Sequence, residues 1–301
     1  MDERFNRPKR VGEILDLTFS LSKNRFRDFF IISLIIMGPI YLLQALISLA
    51  SGVGFFRDIG VGGTWYEGLI SSFAETETVN LGASIGGALI GITSFFLFPI
   101  ASAATLLVVN QIRKNEEYTI GSAFKQAFSR YGPIIGSSIL FALITLALIV
   151  IPTTIFVFSL ISSIAFSSTA GIILAVLLFL VVAIVVVYLL TRWSFYFGSV
   201  VLDEGSPGLT RSWRLTRKRL WPLIGLYIVF SLIIGVISFT IELAFGLFLG
   251  NSVLLSLIVS LASIFTTMIF SVGYAVMYLD LKVRHDAEDL KEMIDDYNVI
   301  Q

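Results

Sequence analysis

Cysteine is absent from the chain and histidine occurs once, at His285. The first absence excludes disulfides, thiolate metal ligation and cysteine nucleophiles together, and the second excludes a multi-histidine metal centre. Charge is scarce as well. Charged residues make up 14% of the 301 positions and hydrophobic ones 56%, where a soluble domain carries about a quarter charged and nearly half apolar. The formal net charge is zero, 21 basic against 21 acidic residues, so no overall field draws the chain to nucleic acid. No nucleophile elbow, phosphate-binding loop, HExxH pair or paired-carboxylate constellation occurs, so neither an enzyme nor a cofactor is expected.

What is present is apolar sequence in long runs. A spanning helix needs about 20 mostly apolar residues to cross a hydrocarbon core about 30 Å thick. Six stretches qualify, roughly 29–51, 81–110, 133–162, 170–192, 223–249 and 252–280. The expected fold is therefore an all-α integral membrane protein with six transmembrane helices, in a single membrane domain over 1–290 followed by a tail at 291–301. The third and fourth runs are parted only by small polar residues from Ser162 to Thr169, and the last two only by Gly250, Asn251 and Ser252. Links that short make antiparallel hairpins.

Basic residues near helix ends are retained on the cytoplasmic side. Every lysine and arginine except Arg57 lies before the first run, between the second and third, between the fourth and fifth, or after the sixth. Six spans with both termini cytoplasmic satisfy that arrangement, in a multi-pass protein of the cell membrane. The start, MDERFNRPKR, places no apolar core directly after its basic residues and reads as a retained cytoplasmic segment. The loop 52–80 falls outside, with Phe55, Phe56, Trp65 and Tyr66 suited to the headgroup zone or to a lid over the bundle.

Three glycines open short amphipathic stretches that lead into spans. After Gly12 the shared stripe is Leu15, Phe19, Ser22, Phe26 and Phe30; after Gly121 it is Phe124, Ala127, Phe128 and Tyr131; after Gly208 it is Leu209, Trp213, Thr216 and Leu220. Spacings of three and four predict helices lying in the cytoplasmic interface, with these stripes on the lipid tails. The chain parses as three parallel repeats of interfacial helix plus helical hairpin, at about 11–117, 119–204 and 206–290. Gly82, Gly86, Gly87 and Gly91 form small-xxx-small patterns that suit close helix packing.

The third amphipathic stretch carries the candidate lipid-binding site, Arg211, Trp213, Arg214, Arg217, Lys218 and Arg219. Its cations attract an anionic leaflet, and Trp213 anchors the apolar side. Two further residues are candidates. Glu242 is the one carboxylate within an apolar run; it lies near the outer headgroups if its helix enters at Leu223, and needs protonation or a partner if the helix enters lower. Arg192 either snorkels to phosphate or pairs with Asp203, Glu204 or Asp280.

The segment LDEGSPGLTRSWRLTRKRLWPLIG, with Arg192 upstream and the exit YLDLKVRHDAEDL, resembles the membrane-domain family named for glycerophosphoryl diester phosphodiesterases. The start RPKRVGEILDLTFSLSKNRFRDFF extends the likeness. The soluble phosphodiesterase barrel that can follow this domain is missing here, so the resemblance implies no catalytic activity. It implies a bacterial or archaeal membrane protein tied to lipids, envelope stress or export. Two functions stand: a non-enzymatic membrane module whose basic face binds anionic lipid or a protein partner, and a transporter or export accessory for a small solute or peptide. Spans that offer mostly serine and threonine favour the first.

Overall fold

The computed structural model describes residues 5, 7–56, 81–202, 205–250 and 252–299, with side-chain surroundings left undescribed for 81–85 and 288–299. Its elements are helices: α1 Val11–Asn24, α2 Phe26–Ala50, α3 Leu81–Lys114, α4 Ile120–Ser129, α5 Tyr131–Ala165, α6 Thr169–Trp193, α7 Tyr196–Val201, α8 Leu209–Thr216, α9 Leu220–Leu249 and α10 Val253–Val299. Six of them, α2, α3, α5, α6, α9 and α10, are long and apolar enough to cross a membrane. Their outward surfaces are of the same character. Phe158 and Phe248 expose 74% and 79% of their area, and in α6 only 6% of the most apolar window is buried. Apolar surface on that scale has hydrocarbon as its solvent, so the chain is an all-helical, multi-pass membrane protein.

Both tight hairpins form where small polar residues interrupt the apolar sequence. After α5 the chain turns through Ser167 at φ 51°, and Ser168 caps α6 by accepting the Gly171 N–H (3.1 Å). After α9 it turns at Gly250, and Ser252 accepts the Leu255 N–H (3.2 Å) at the start of α10. Two further orphan N–H groups of that helix start, on Val253 and Leu254, donate to the carbonyls of Gly54 and Phe55 (both 3.1 Å). The rest of the loop, 57–80, lies outside the described residues. At the other end α10 continues through Asp280 to Val299 as one helix.

The chain resolves into two compact units, one of residues 1–4, 12–128 and 228–276, the other of 5–11, 129–227 and 277–301. The division cuts across the three units read from the sequence. In the first, α2 packs on α3, and their closest approach is at Gly86, where a Cβ would stand 2.5 Å from the Ile47 side chain. Gly87 and Gly91 face open space, and Gly82 lies outside the residues with described side chains, so Gly86 alone is placed at a close contact. Met37, Ile40 and Ile264 form a core cluster with Phe30, Tyr41, Ile90 and Leu97 around it. Beyond the end of α3, the Tyr118 hydroxyl donates to Asp28 (2.7 Å) and the Arg25 guanidinium lies over its ring (5.9 Å). Burial first, then the bond to Asp28 and its charge, push the Tyr118 phenol up to about 12, so it remains a proton donor at neutral pH.

In the second unit α5 packs on α6 and α7, and α8 packs on α6 and α7. Gly198 lies under the ring of Tyr278, and a Cβ there would stand 2.3 Å from the ring. Tyr278 is fully buried and its hydroxyl meets that of Ser199 at 3.3 Å. Tyr196 stacks on Phe141 with centroids 4.7 Å apart and donates to Ser138 (3.2 Å).

The short amphipathic stretches are helical, but their apolar stripes are not simply turned outward. In α1 the buried residues are Ile14, Leu17, Thr18, Leu21 and Ser22, whereas Phe19 of the expected stripe is exposed. In α4 Ala123 and Ala127 are buried and Phe128 is half exposed. In α8 Ser212, Leu215 and Thr216 are buried, with Leu220 just beyond. Protein packing thus takes one side of each helix, and the large aromatic residues are left at its edge.

Candidate functional site: a bridged helix break beside a basic cavity

The site begins at a break in the fourth span. Helix α6 ends at Trp193 and α7 starts at Tyr196, which interrupts the backbone ladder inside the protein. Ser212 of α8 closes the gap. It accepts the Phe195 N–H (3.1 Å) and donates to the Arg192 carbonyl (2.7 Å), and it is fully buried while doing so. Thr216, one turn on, donates to the Ser212 carbonyl (2.9 Å), with the Arg192 carbonyl 3.4 Å from the same hydroxyl. Gly208 sets the approach of α8. Its φ of 75° is left-handed, and a Cβ would stand 2.5 Å from the Tyr196 carbonyl, so glycine is the residue that fits.

Arg192 locks the same junction from its side chain. Its Nε and one terminal nitrogen donate to the Tyr188 hydroxyl (3.3 and 3.0 Å), the other terminal nitrogen donates to the Trp213 carbonyl (3.2 Å), and the guanidinium lies 4.7 Å from the Trp213 ring centroid. The expected pairing with Asp280 does not occur. Arg192 is 8% exposed and its donors are taken by tyrosine and a carbonyl, while Asp280 is engaged elsewhere. Asp203 and Glu204, the other expected partners, lie outside the described residues. Trp213 is 37% exposed and also meets the Trp193 ring at 5.8 Å, so it is a wall of the Arg192 site as well as a surface residue.

Asp280 holds the N-terminal segment. One carboxylate oxygen accepts the Lys9 N–H (2.7 Å) and the other accepts Arg284 Nε (2.8 Å), while Arg284 Nη2 donates to the Lys9 carbonyl. The clasp fixes Arg284 at the edge of a cavity of about 630 Å³. Beyond α8 the chain turns through Arg217, Lys218 and Arg219 before α9 starts, and these three line that cavity together with Arg214 of α8. Pro8, Leu215, Leu281 and Ala287 supply apolar wall, Arg284 and His285 supply polar wall, and among the described residues no carboxylate lines it.

Of the six residues expected to bind lipid, four therefore meet at one cavity. Arg211 is half-buried and outside it, and Trp213 is committed to Arg192. Arg284 and His285 join the four from α10, and the basic letters of LDLKVRHD were the sequence signal for them. Glu242 is exposed on α9, with no partner among the described residues. It lies 22 residues beyond Leu220, about 33 Å along the helix at 1.5 Å per residue, which reaches the far edge of the hydrocarbon core. No group of three or more His, Cys, Asp or Glu that could hold a metal occurs among the described residues.

These features define an all-helical multi-pass membrane protein with a cation-lined cavity at the ends of its helices. Residues 34–281 match the family described as Domain of unknown function (DUF7847), and the chain belongs to that family. No curated protein and no solved structure matches the chain.

Proposed function

We propose that the chain is a non-enzymatic module of the cell membrane whose basic end faces the cytoplasm and gathers anionic lipid, in lipid or envelope homeostasis. The observation that carries this reading is the convergence of Arg214, Arg217, Lys218, Arg219 and Arg284 on one cavity with no carboxylate in its lining among the described residues. Near an anionic leaflet each such charge is worth about 1 kcal/mol, falling off within a Debye length. The resemblance of the α8 segment and the α10 exit to the glycerophosphoryl diester phosphodiesterase membrane domain supports a lipid-linked role. The transport reading gains nothing from Glu242, which is exposed near the far end of α9.

In nanodiscs of mixed zwitterionic and anionic lipid, the parent should enrich phosphatidylglycerol around itself. The variant with Arg214, Arg217, Lys218 and Arg219 all changed to glutamine should lose most of that enrichment. Equal enrichment by the two proteins would end the proposal. Orientation is tested separately in this cysteine-free chain: a cysteine placed at Trp65 should react with an impermeant reagent outside intact cells, and cysteines placed at Ile120 or Thr210 should react only after permeabilisation. Outside labelling at 210 would reverse the assignment.

A further inference from the structure

We propose that the cavity between the α8–α9 turn and the exit of α10 is a discrete binding site for a diphosphate group, borne by a lipid or by a soluble molecule; this rests on the reading of the basic end as an anionic-lipid surface. Five cations face one space; Arg284 is already paired with Asp280, but Arg214, Arg217 and Arg219 have no ion pair among the described residues, and like charges so gathered repel unless a counter-charge enters. A phosphodiester headgroup brings a single negative charge. One terminal phosphate brings about −1.5 to −2, and a second phosphate beside it adds more, which matches the wall better.

Among the described residues the side chains of Arg214, Arg217 and Arg219 make no hydrogen bond or ion pair, so their donor forks are available to an incoming anion. Arg284 is different in kind. Its Nε and Nη2 are fixed by Asp280 and the Lys9 carbonyl, so the guanidinium of this lining residue is held in place with Nη1 making no hydrogen bond among the described residues. A donor held in place before the ligand arrives loses less on binding than one that must be ordered.

A volume of about 630 Å³ falls within the roughly 300–1,000 Å³ of small-molecule sites, and has room for two linked phosphates and the start of a substituent. Trp221, in the first turn of α9 beside Arg219, is 73% exposed, and an exposed tryptophan at the end of a span suits the headgroup level. A diphosphate carried on a lipid would reach the cavity at that level.

The test is calorimetry on the whole chain in phosphatidylcholine nanodiscs at fixed ionic strength, with inorganic pyrophosphate and orthophosphate as probes. Pyrophosphate should bind about tenfold more tightly than orthophosphate, and Arg214→Gln with Arg217→Gln should lose about tenfold or more of that affinity. Both arginines are exposed and make no side-chain pair among the described residues, so the variant should fold; its helical circular dichroism checks this. Nanodiscs doped with farnesyl diphosphate that no longer take up pyrophosphate would identify a lipid source. Competition by a nucleoside diphosphate without competition by the lipid would identify a soluble one. Equal affinity for the two probes, or a double variant that binds as the parent does, overturns the diphosphate site. If phosphatidylglycerol enrichment persists in that case, the broader lipid reading stands alone; if it is absent too, both fall.

Discussion

Replacing Ser212 with valine should destabilise the folded chain by about 1–4 kcal/mol, because the change strands a buried donor at about 1–3 kcal/mol and takes from a buried carbonyl the nearer of its two donors, worth about 1 kcal/mol. The stranded donor is the Phe195 N–H and the carbonyl is that of Arg192, which keeps only the longer contact from Thr216 at 3.4 Å; Ser212 serves both within a fully buried site. Valine fills the space and keeps water out, so nothing replaces the lost oxygen. Alanine should cost less, since a water can enter the vacated volume. Thr216→Val is the control. That hydroxyl donates chiefly to a carbonyl of its own helix, whose ladder bond survives the substitution, so its cost should stay below about 1 kcal/mol. Unfolding in mixed detergent would rank the three variants, and hydrogen exchange at the Phe195 amide would localise the effect. A Ser212→Val protein as stable as Thr216→Val, with Phe195 still protected, would mean that the hydroxyl does not bridge the break.

The spans were legible in the sequence because the length of an apolar run is a property of the chain and the solvent alone. Each run lies within or closely overlaps one of α2, α3, α5, α6, α9 and α10, and the turns fall at the serines and glycines that interrupt them. Which side of a helix packs inward was not legible in the same way. A helix such as α1 has apolar residues around much of its circumference, so a stripe through Leu15 and Phe19 reads as well as the stripe through Ile14, Leu17 and Leu21 that the protein buries. The partner of Arg192 was hidden for a second reason. Counting formal charges singles out Asp203, Glu204 and Asp280, whereas a guanidinium is equally served by a tyrosine hydroxyl, a carbonyl and an aromatic face. Four arginines and lysines of the cavity were visible as a cluster around α8. Their meeting with Arg284 depends on a clasp between residues 271 positions apart, and no periodicity encodes that.

That clasp gives the largest expected effect. Asp280→Ala should cost about 3–5 kcal/mol, the range for breaking a buried ion pair from one side, because Arg284 loses its counter-charge and the Lys9 N–H its acceptor. The Asp280 side chain is only 5% exposed and that of Arg284 17%, so solvent screens the pair weakly. Asp280→Asn keeps an oxygen for the Lys9 N–H and removes only the charge, so it should fall between the parent and the alanine variant. The decisive comparison is Asp280→Leu combined with Arg284→Met. Removing both charges leaves no uncompensated ion, and the pair should be more stable than Asp280→Ala alone even though more of the sequence has changed. In hydrogen exchange, Asp280→Ala and the double variant, which have no oxygen at position 280, should lose protection at Lys9, since its amide bonds to that side chain and to no repeating ladder, whereas Asp280→Asn should keep it. The double variant would thus be stable but unclasped, and it would also lack a cavity cation, so its pyrophosphate affinity should fall. If Asp280→Ala proves no less stable than the double variant, the carboxylate is not compensating a buried charge, and Arg284 must be held by its contact with Lys9 alone.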